Sequence, residues 1–229
     1  MRASRVITMG VFLLAAALPA AAQTATPATT TTKPASASPQ LTGVEVGVIG
    51  GLSAVQNVGG LLGGRIGYAI NDKIQIEAEG MWMQDVATRA RLEAISSFGT
   101  YLTSVQGKPS TATLTAPANY FGGGFKFLIP MDGALHPYVA IGGGMAKVAL
   151  KPVFTISGTD VTTQLSTYGV TLGSDFTGDV TKAAITGGLG VLINNNRLSF
   201  DVGLRLTSIQ TDGQKTNVLR GQLGIAYKF

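Results

Sequence analysis

The sequence predicts an all-β protein: an eight-stranded antiparallel up-and-down barrel crossing a membrane, with two long loops on one side, the first holding a short helix. Three observations predict it. Eight segments between Leu41 and Phe229 alternate apolar and polar residues at period two, the period of a strand. Connections between them alternate short and long. In the seven clearest segments the apolar faces carry no charge, whereas the polar faces, away from the rims, carry four acids and four bases.

Composition narrows the alternatives. Of 229 residues 13% are charged, 31 are Gly and none is Cys, and the mean hydropathy is +0.29. Beyond the first two dozen residues no apolar run is long enough for a membrane helix. A helical bundle in the bilayer, a disulfide scaffold and a thiolate metal site are therefore excluded. A highly charged disordered chain is excluded as well.

Residues 1–22 read as a secretory signal peptide. Arg2 and Arg5 form its positive start, Val6 to Leu18 its apolar stretch, and Ala20 to Ala22 a small-residue cleavage site after Pro19. Loss of the leader takes the net charge from +5 to +3, which argues against a nucleic-acid partner. Residues 23–40, rich in Thr, Ala and Pro, cannot bury enough apolar area to offset their ordering entropy and read as a disordered linker. The barrel is expected over residues 41–229.

The strands follow in order. Thr42 to Ser53 sets Val44, Val46, Val48 and Leu52 against Glu45 and Ser53. Leu61 to Ile70 sets Leu62, Ile66, Tyr68 and Ile70 against Arg65. Lys73 to Gln84 is the cleanest, with Ile74, Ile76, Ala78 and Trp82 opposite Gln75, Glu77, Glu79 and Met81. Asn119 to Ile129 sets Phe121, Phe125 and Phe127 against Tyr120 and Lys126. Pro137 to Leu150 is ambiguous, because Lys147 shares a face with Val139 and Ile141. Lys182 to Ile193, Arg197 to Ser208 and Asn217 to Phe229 complete the set, the last two carrying Asp201, Arg205 and Arg220 on their polar faces. Turns at 71–72, 131–136 and 194–196 are short. Residues 54–60, 85–118, 151–181 and 209–216 connect the other ends.

Glu45, Glu77, Glu79 and Asp201 balance Arg65, Lys126, Arg205 and Arg220 on the polar faces. A solvent-facing surface needs no such balance and normally carries more charge. A confined interior needs it, since stripping a buried ion of its partner costs about 3–5 kcal/mol. The polar faces are therefore expected inside as an ion network and the apolar faces against outer-membrane lipid. Tyr68, Tyr227 and Phe229 would lie near the short-turn end and Trp82 near the long-loop end, the places of interfacial girdles. Gly clusters at 63–67, 122–124, 142–144 and 187–190 would make room inside for long charged side chains.

Chemistry-bearing patterns are sparse, and no catalytic, cofactor-binding or metal-binding residue is assigned. His136 is the single His, in an expected short turn, where a surface or capping role suits it better than catalysis. Glu77 and Glu79 share a face but read as members of the ion network. Asp160, Asp175 and Asp179 are too irregularly spaced for a calcium loop. Gly142 to Gly144 lacks the dinucleotide spacing and a following helix.

The loops carry the remaining signal. Leu92, Ile95, Phe98, Leu102 and Val105 recur at helical spacing, predicting an amphipathic helix of about four turns interrupted by Gly99. It is open whether that helix covers the barrel mouth, rests on the outer leaflet or meets a partner. Residues 151–181 are expected to extend strands five and six beyond the membrane. Loops 85–118 and 151–181 are the expected surface for any partner.

On these residues the chain resembles the small outer-membrane barrels of the OmpA/OmpX superfamily, the porin-family group. The stretch Val218 to Phe229 is similar to that family's terminal assembly signal, with Leu223, Ile225, Tyr227 and Phe229 matching its alternation and final aromatic. Pro137-Tyr138-Val139 before a Gly-rich run is similar to the family's central strand. The resemblance implies the bacterial outer membrane as location and the barrel-assembly machinery as a partner. The expected role is non-enzymatic, structural or surface-interacting. The alternatives are a narrow porin-like channel for small solutes, an adhesin acting through the long loops, and a soluble secreted barrel.

Overall fold

The computed structural model describes residues 43–173, 176, 178–211 and 214–229. The expected leader (1–22) and linker (23–40) and Asp175 lie outside the described residues. Eight strands form the barrel wall: β1 (Gly43–Ala54), β2 (Val58–Asn71), β3 (Ile74–Met83), β5 (Ala118–Leu128), β6 (Leu135–Ile156), β8 (Gly178–Asn195), β9 (Leu198–Thr211) and β10 (Gln214–Lys228). Each pairs antiparallel with its neighbours, and β1 closes the ring on β10 from Glu45 opposite Lys228 to Ala54 opposite Leu219. Closure leaves the wall without a free edge.

Local chemistry sets the short turns. Asn71 Oδ1 accepts hydrogen bonds from the Lys73 N–H at 2.8 Å and the Ile74 N–H at 2.9 Å, folding the β2–β3 hairpin. Asn196, at φ 51°, supplies the left-handed residue for the β8–β9 turn. At the other end β1 and β2 are joined by residues 55–57, and β9 and β10 by residues 212–213. Most of 54–60 and 209–216 is thus strand, leaving two long connections.

The alternation resolves in one sense around the ring. Val202 is 49% exposed while its neighbour Asp201 is 1% exposed. Val46, Ile66, Ile76, Phe125, Leu204 and Leu223 point outward in the same way, and Glu45, Arg65, Glu77, Lys126, Arg205 and Arg220 inward. Strand β6, ambiguous in sequence, sends Val139, Ile141, Met145 and Lys147 outward and Tyr138, Ala140, Ala146 and Val148 inward. Lys147 sits high on the outer wall, joined to Trp82 through Asn119 in the strand register, and pairs with Asp179 at 2.7 Å.

The long connections form an ordered cap. β6 continues to Ile156, and its last turn of residues pairs with β4 (Ser110–Thr115) from the other connection, Ser110 opposite Ile156 and Thr115 opposite Lys151. The expected extension of strands five and six is met in part: β6 runs on to Ile156 and β8 starts at Gly178, opposite Leu150, while residues between form the short β7 (Thr159–Asp160) and a 3-10 helix (Thr162–Tyr168). The helix α1 (Arg89–Gln106) packs on β4 through Ile95, Gly99 and Leu102. Gly99 does not interrupt it: a Cβ there would stand 3.0 Å from the Ala112 nitrogen, so Gly is the residue that permits this approach.

Candidate functional site

All eight predicted interior charges are buried, and they meet in one continuous chain of alternating sign. At its lower end, towards the short turns, Glu45 Oε1 lies 3.4 Å from Arg65 Nη2, and Arg65 in turn pairs with Asp201. Lys126 Nζ bridges Asp201 Oδ2 at 2.6 Å and Glu77 Oε2 at 3.0 Å. Arg205 pairs with Glu77 and lies 3.8 Å from Glu79 Oε2, and Arg220 Nη2 donates to Glu79 Oε1 at 3.0 Å. The interior ions thus have an opposite charge on each side, except at the chain's two ends. This arrangement offsets the desolvation that would otherwise expel the ions from a narrow interior.

Neutral groups complete the site, and they were harder to foresee. The Tyr138 hydroxyl donates to Asp201 Oδ1 at 2.6 Å, and Lys126 Nζ lies 4.8 Å from the same ring's centroid. Arg220 lies 5.1 Å from the Tyr120 centroid and donates to Thr186 Oγ1 at 3.2 Å. The inner glycines fit beneath these side chains. A Cβ on Gly188 would come within 2.8 Å of Arg205 Cγ, one on Gly190 or Gly203 within 2.6 Å of Tyr138, and one on Gly67 within 2.6 Å of Gln75 Nε2.

Packed residues close both ends of this chain, a mixed layer below and an apolar one above. Below it Ala69, Leu128, Tyr138, Ala140 and Leu192 pack together beside a cavity of about 20 Å³. Above it the interior becomes apolar: Ile49, Leu61, Met81, Met83, Val148, Ile209 and Val218 point inward. They continue into a core with Ile95, Leu102, Leu114, Phe154 and Leu165 of the cap. The inner faces are polar in the middle of the barrel and, with buried Gln75, His136, Asn194 and Ser199, towards the short turns as well. Near the cap the same faces carry Met, Val and Ile because protein, not water, meets them there.

His136 differs from its expected place. It is the second residue of β6, buried and opposite Leu192, not a surface residue of a turn. Among the described residues there is no group of three or more His, Cys, Asp or Glu able to hold a metal ion.

A family model described as the outer membrane protein beta-barrel domain matches residues 10–229. The chain belongs to this family. As an outer membrane beta-barrel protein it resides in the bacterial outer membrane. No curated protein matches its sequence. Its fold is similar to that of Neisserial surface protein A, with 12% identity, 81% of this chain and 96% of that one covered, and a TM-score of 0.48. The N-terminal barrel domain of Pseudomonas aeruginosa OprF has 14% identity, 81% and 97% coverage and a TM-score of 0.45. Ail, the attachment invasion locus protein of Yersinia pestis, has 11% identity, 82% and 97% coverage and a TM-score of 0.44. The outer surface of this barrel carries a belt of exposed Val, Ile, Leu and Phe, and its eight central charges are buried inside.

Proposed function

We propose that this protein is a non-enzymatic, non-conducting outer-membrane barrel that supports an ordered extracellular cap for contact with partners. One observation carries the reading: buried side chains occupy the interior from the short turns to the cap. The lower layer around Leu128 and Leu192, the charge chain and the upper apolar core follow one another, and beside Glu77, Glu79, Tyr120 and Arg205 the room for a water molecule is about 0 Å³. Eight strands enclose only enough room for side chains. A porin-like path would have to break several buried ion pairs and part the cap.

The outward row Leu223, Ile225, Tyr227 and Phe229 is exposed on β10, with Phe229 held by its N–H to the Val44 carbonyl at 3.0 Å. We assign this row to recognition by the barrel-assembly machinery and the apolar belt to contact with lipid. The cap, built from 85–118 and 151–181, is the surface left for other proteins. Planar-bilayer recording of purified barrel tests the reading. Silence at voltages that drive steady current through a porin is expected; reproducible unitary currents from the folded species would reject it.

A further inference from the structure

Helix α1 has two apolar faces; the fold buries one and covers the second only in part, at Phe98, which packs on the same core. Leu92, Ile95, Gly99 and Leu102 pack into the cap core. Ala94, Phe98, Tyr101 and Val105 form a second stripe at spacings of four, three and four residues, the pattern of a helix-packing seam. Tyr101 is 48% exposed and Val105 52% exposed. Beside this stripe runs a cleft of about 600 Å³, walled on its far side by Val170, Thr171 and Phe176, with the Phe98 and Phe176 rings edge to face at 5.9 Å.

Charge marks both ends of the stripe with one sign. Arg91 precedes it and Lys108 follows it, and neither has an ion-pair partner among the described residues. The one acid of the helix, Glu93, is neutralised, accepting from Arg89 Nε at 2.7 Å. We propose that this cleft docks an amphipathic helix of another protein, one with apolar residues at the same spacing and carboxylates flanking them. This rests on the reading of the cap as a contact surface and names its site and partner chemistry. Aromatic and aliphatic anchors in such a cleft supply affinity, and the flanking cations supply orientation.

Two other occupants fit less well. A second copy would set Arg91 against Lys108 in an antiparallel pair, or Arg91 against Arg91 in a parallel one. Lipid is separated from α1 by the β4–β6 wall. The outer face of that wall shows Thr111, Thr113, Thr115, Lys151 and Val153, whereas α1 lies on the inner face against Ala112 and Leu114.

The test uses the full barrel in nanodiscs and a fluorescein-labelled helical peptide with Leu at four-three-four spacing and Glu at each end of the seam. A second peptide carries Lys in place of Glu. The Glu peptide is expected to bind at least about tenfold more tightly, a difference that falls with salt. Tyr101→Asp with Val105→Asp abolishes binding, and Arg91→Glu with Lys108→Glu reverses the preference. Equal binding of both peptides, no binding of the Glu peptide, or binding retained in the Asp variant overturns the proposal. So does displacement of the peptide by phosphatidylglycerol vesicles, or cap-mediated dimerisation that the Asp variant abolishes. Each variant is checked for heat-modifiable migration and for electrical silence. A conducting barrel would reject the function proposed above without bearing on the cleft.

Discussion

Asp201 is the busiest ion in the interior, accepting from Arg65, Lys126 and Tyr138 at once. Asp201→Ala leaves Arg65 with Glu45 alone and Lys126 with Glu77 alone, and takes the acceptor from the buried Tyr138 hydroxyl. The expected loss is about 3–5 kcal/mol of unfolding free energy, measured by urea titration of the barrel in lipid vesicles. A loss under 1 kcal/mol would mean that water reaches these ions. The inner glycines give a finer test. Gly190→Ala drives a methyl into the Tyr138 ring and should cost about 1–3 kcal/mol, whereas Gly50, with nothing within 4 Å of its Cβ position, should accept Ala with little change. Sequence alternation found Asp201 and its cationic partners because a charge facing inward contrasts with Phe200 and Val202 beside it. It could not find Tyr138, since β6 places apolar Ala146 and Val148 inward as well and blurs the contrast.

The cap elements depend on one close contact and one unforeseen pairing. In an exposed helix, replacing Gly by a better helix former gains up to about 1 kcal/mol. At Gly99 the opposite is expected. Gly99→Leu should push α1 off Ala112 and make residues 89–106 susceptible to protease, while the barrel keeps its heat-modifiable migration. Undiminished protection would show that the helix has slack against β4. At the outer end of the cap, hydrogen bonds from Thr162, including its N–H at 2.8 Å, hold the Asp160 carboxyl below the usual carboxylate range. Because the pKa is lowered on folding, this contribution is complete at neutral pH. It is lost only as pH falls through the folded value. The protection factor of the Thr162 amide, its exchange relative to the free-peptide rate at the same pH, should therefore hold until pH drops below the ordinary carboxylate range and then fall. The helix was readable from its periodicity, and Gly99 was misread because the residue it approaches lies on β4, thirteen positions along. The β4–β6 pairing had no signal, because Ser110 to Thr115 has no partner strand in its own neighbourhood of the chain.

For the whole molecule, location and architecture follow from one sorting of residues between two media. Most of that sorting was present in the period-two pattern and in the equality of buried acids and bases. The missing part was the apolar upper interior: Met81, Met83 and Ile49 sit in polar rows, and only the folded cap above explains them. Removing Phe229 should lower the yield of heat-modifiable barrel in cells but leave refolding in detergent intact, which separates an assembly signal from a stabilising contact. The most direct test of the sorting exploits the absence of Cys from the chain, which lets single introduced cysteines along β9 be spin-labelled one at a time. Collision rates with oxygen and with a water-soluble nickel chelate are then measured in reconstituted bilayers. Labels at Phe200, Val202 and Leu204 should collide freely with oxygen, and labels at Ser199 and Thr207 with neither reagent. Oxygen collisions highest at the second set, with the chelate reaching the first, would contradict the account.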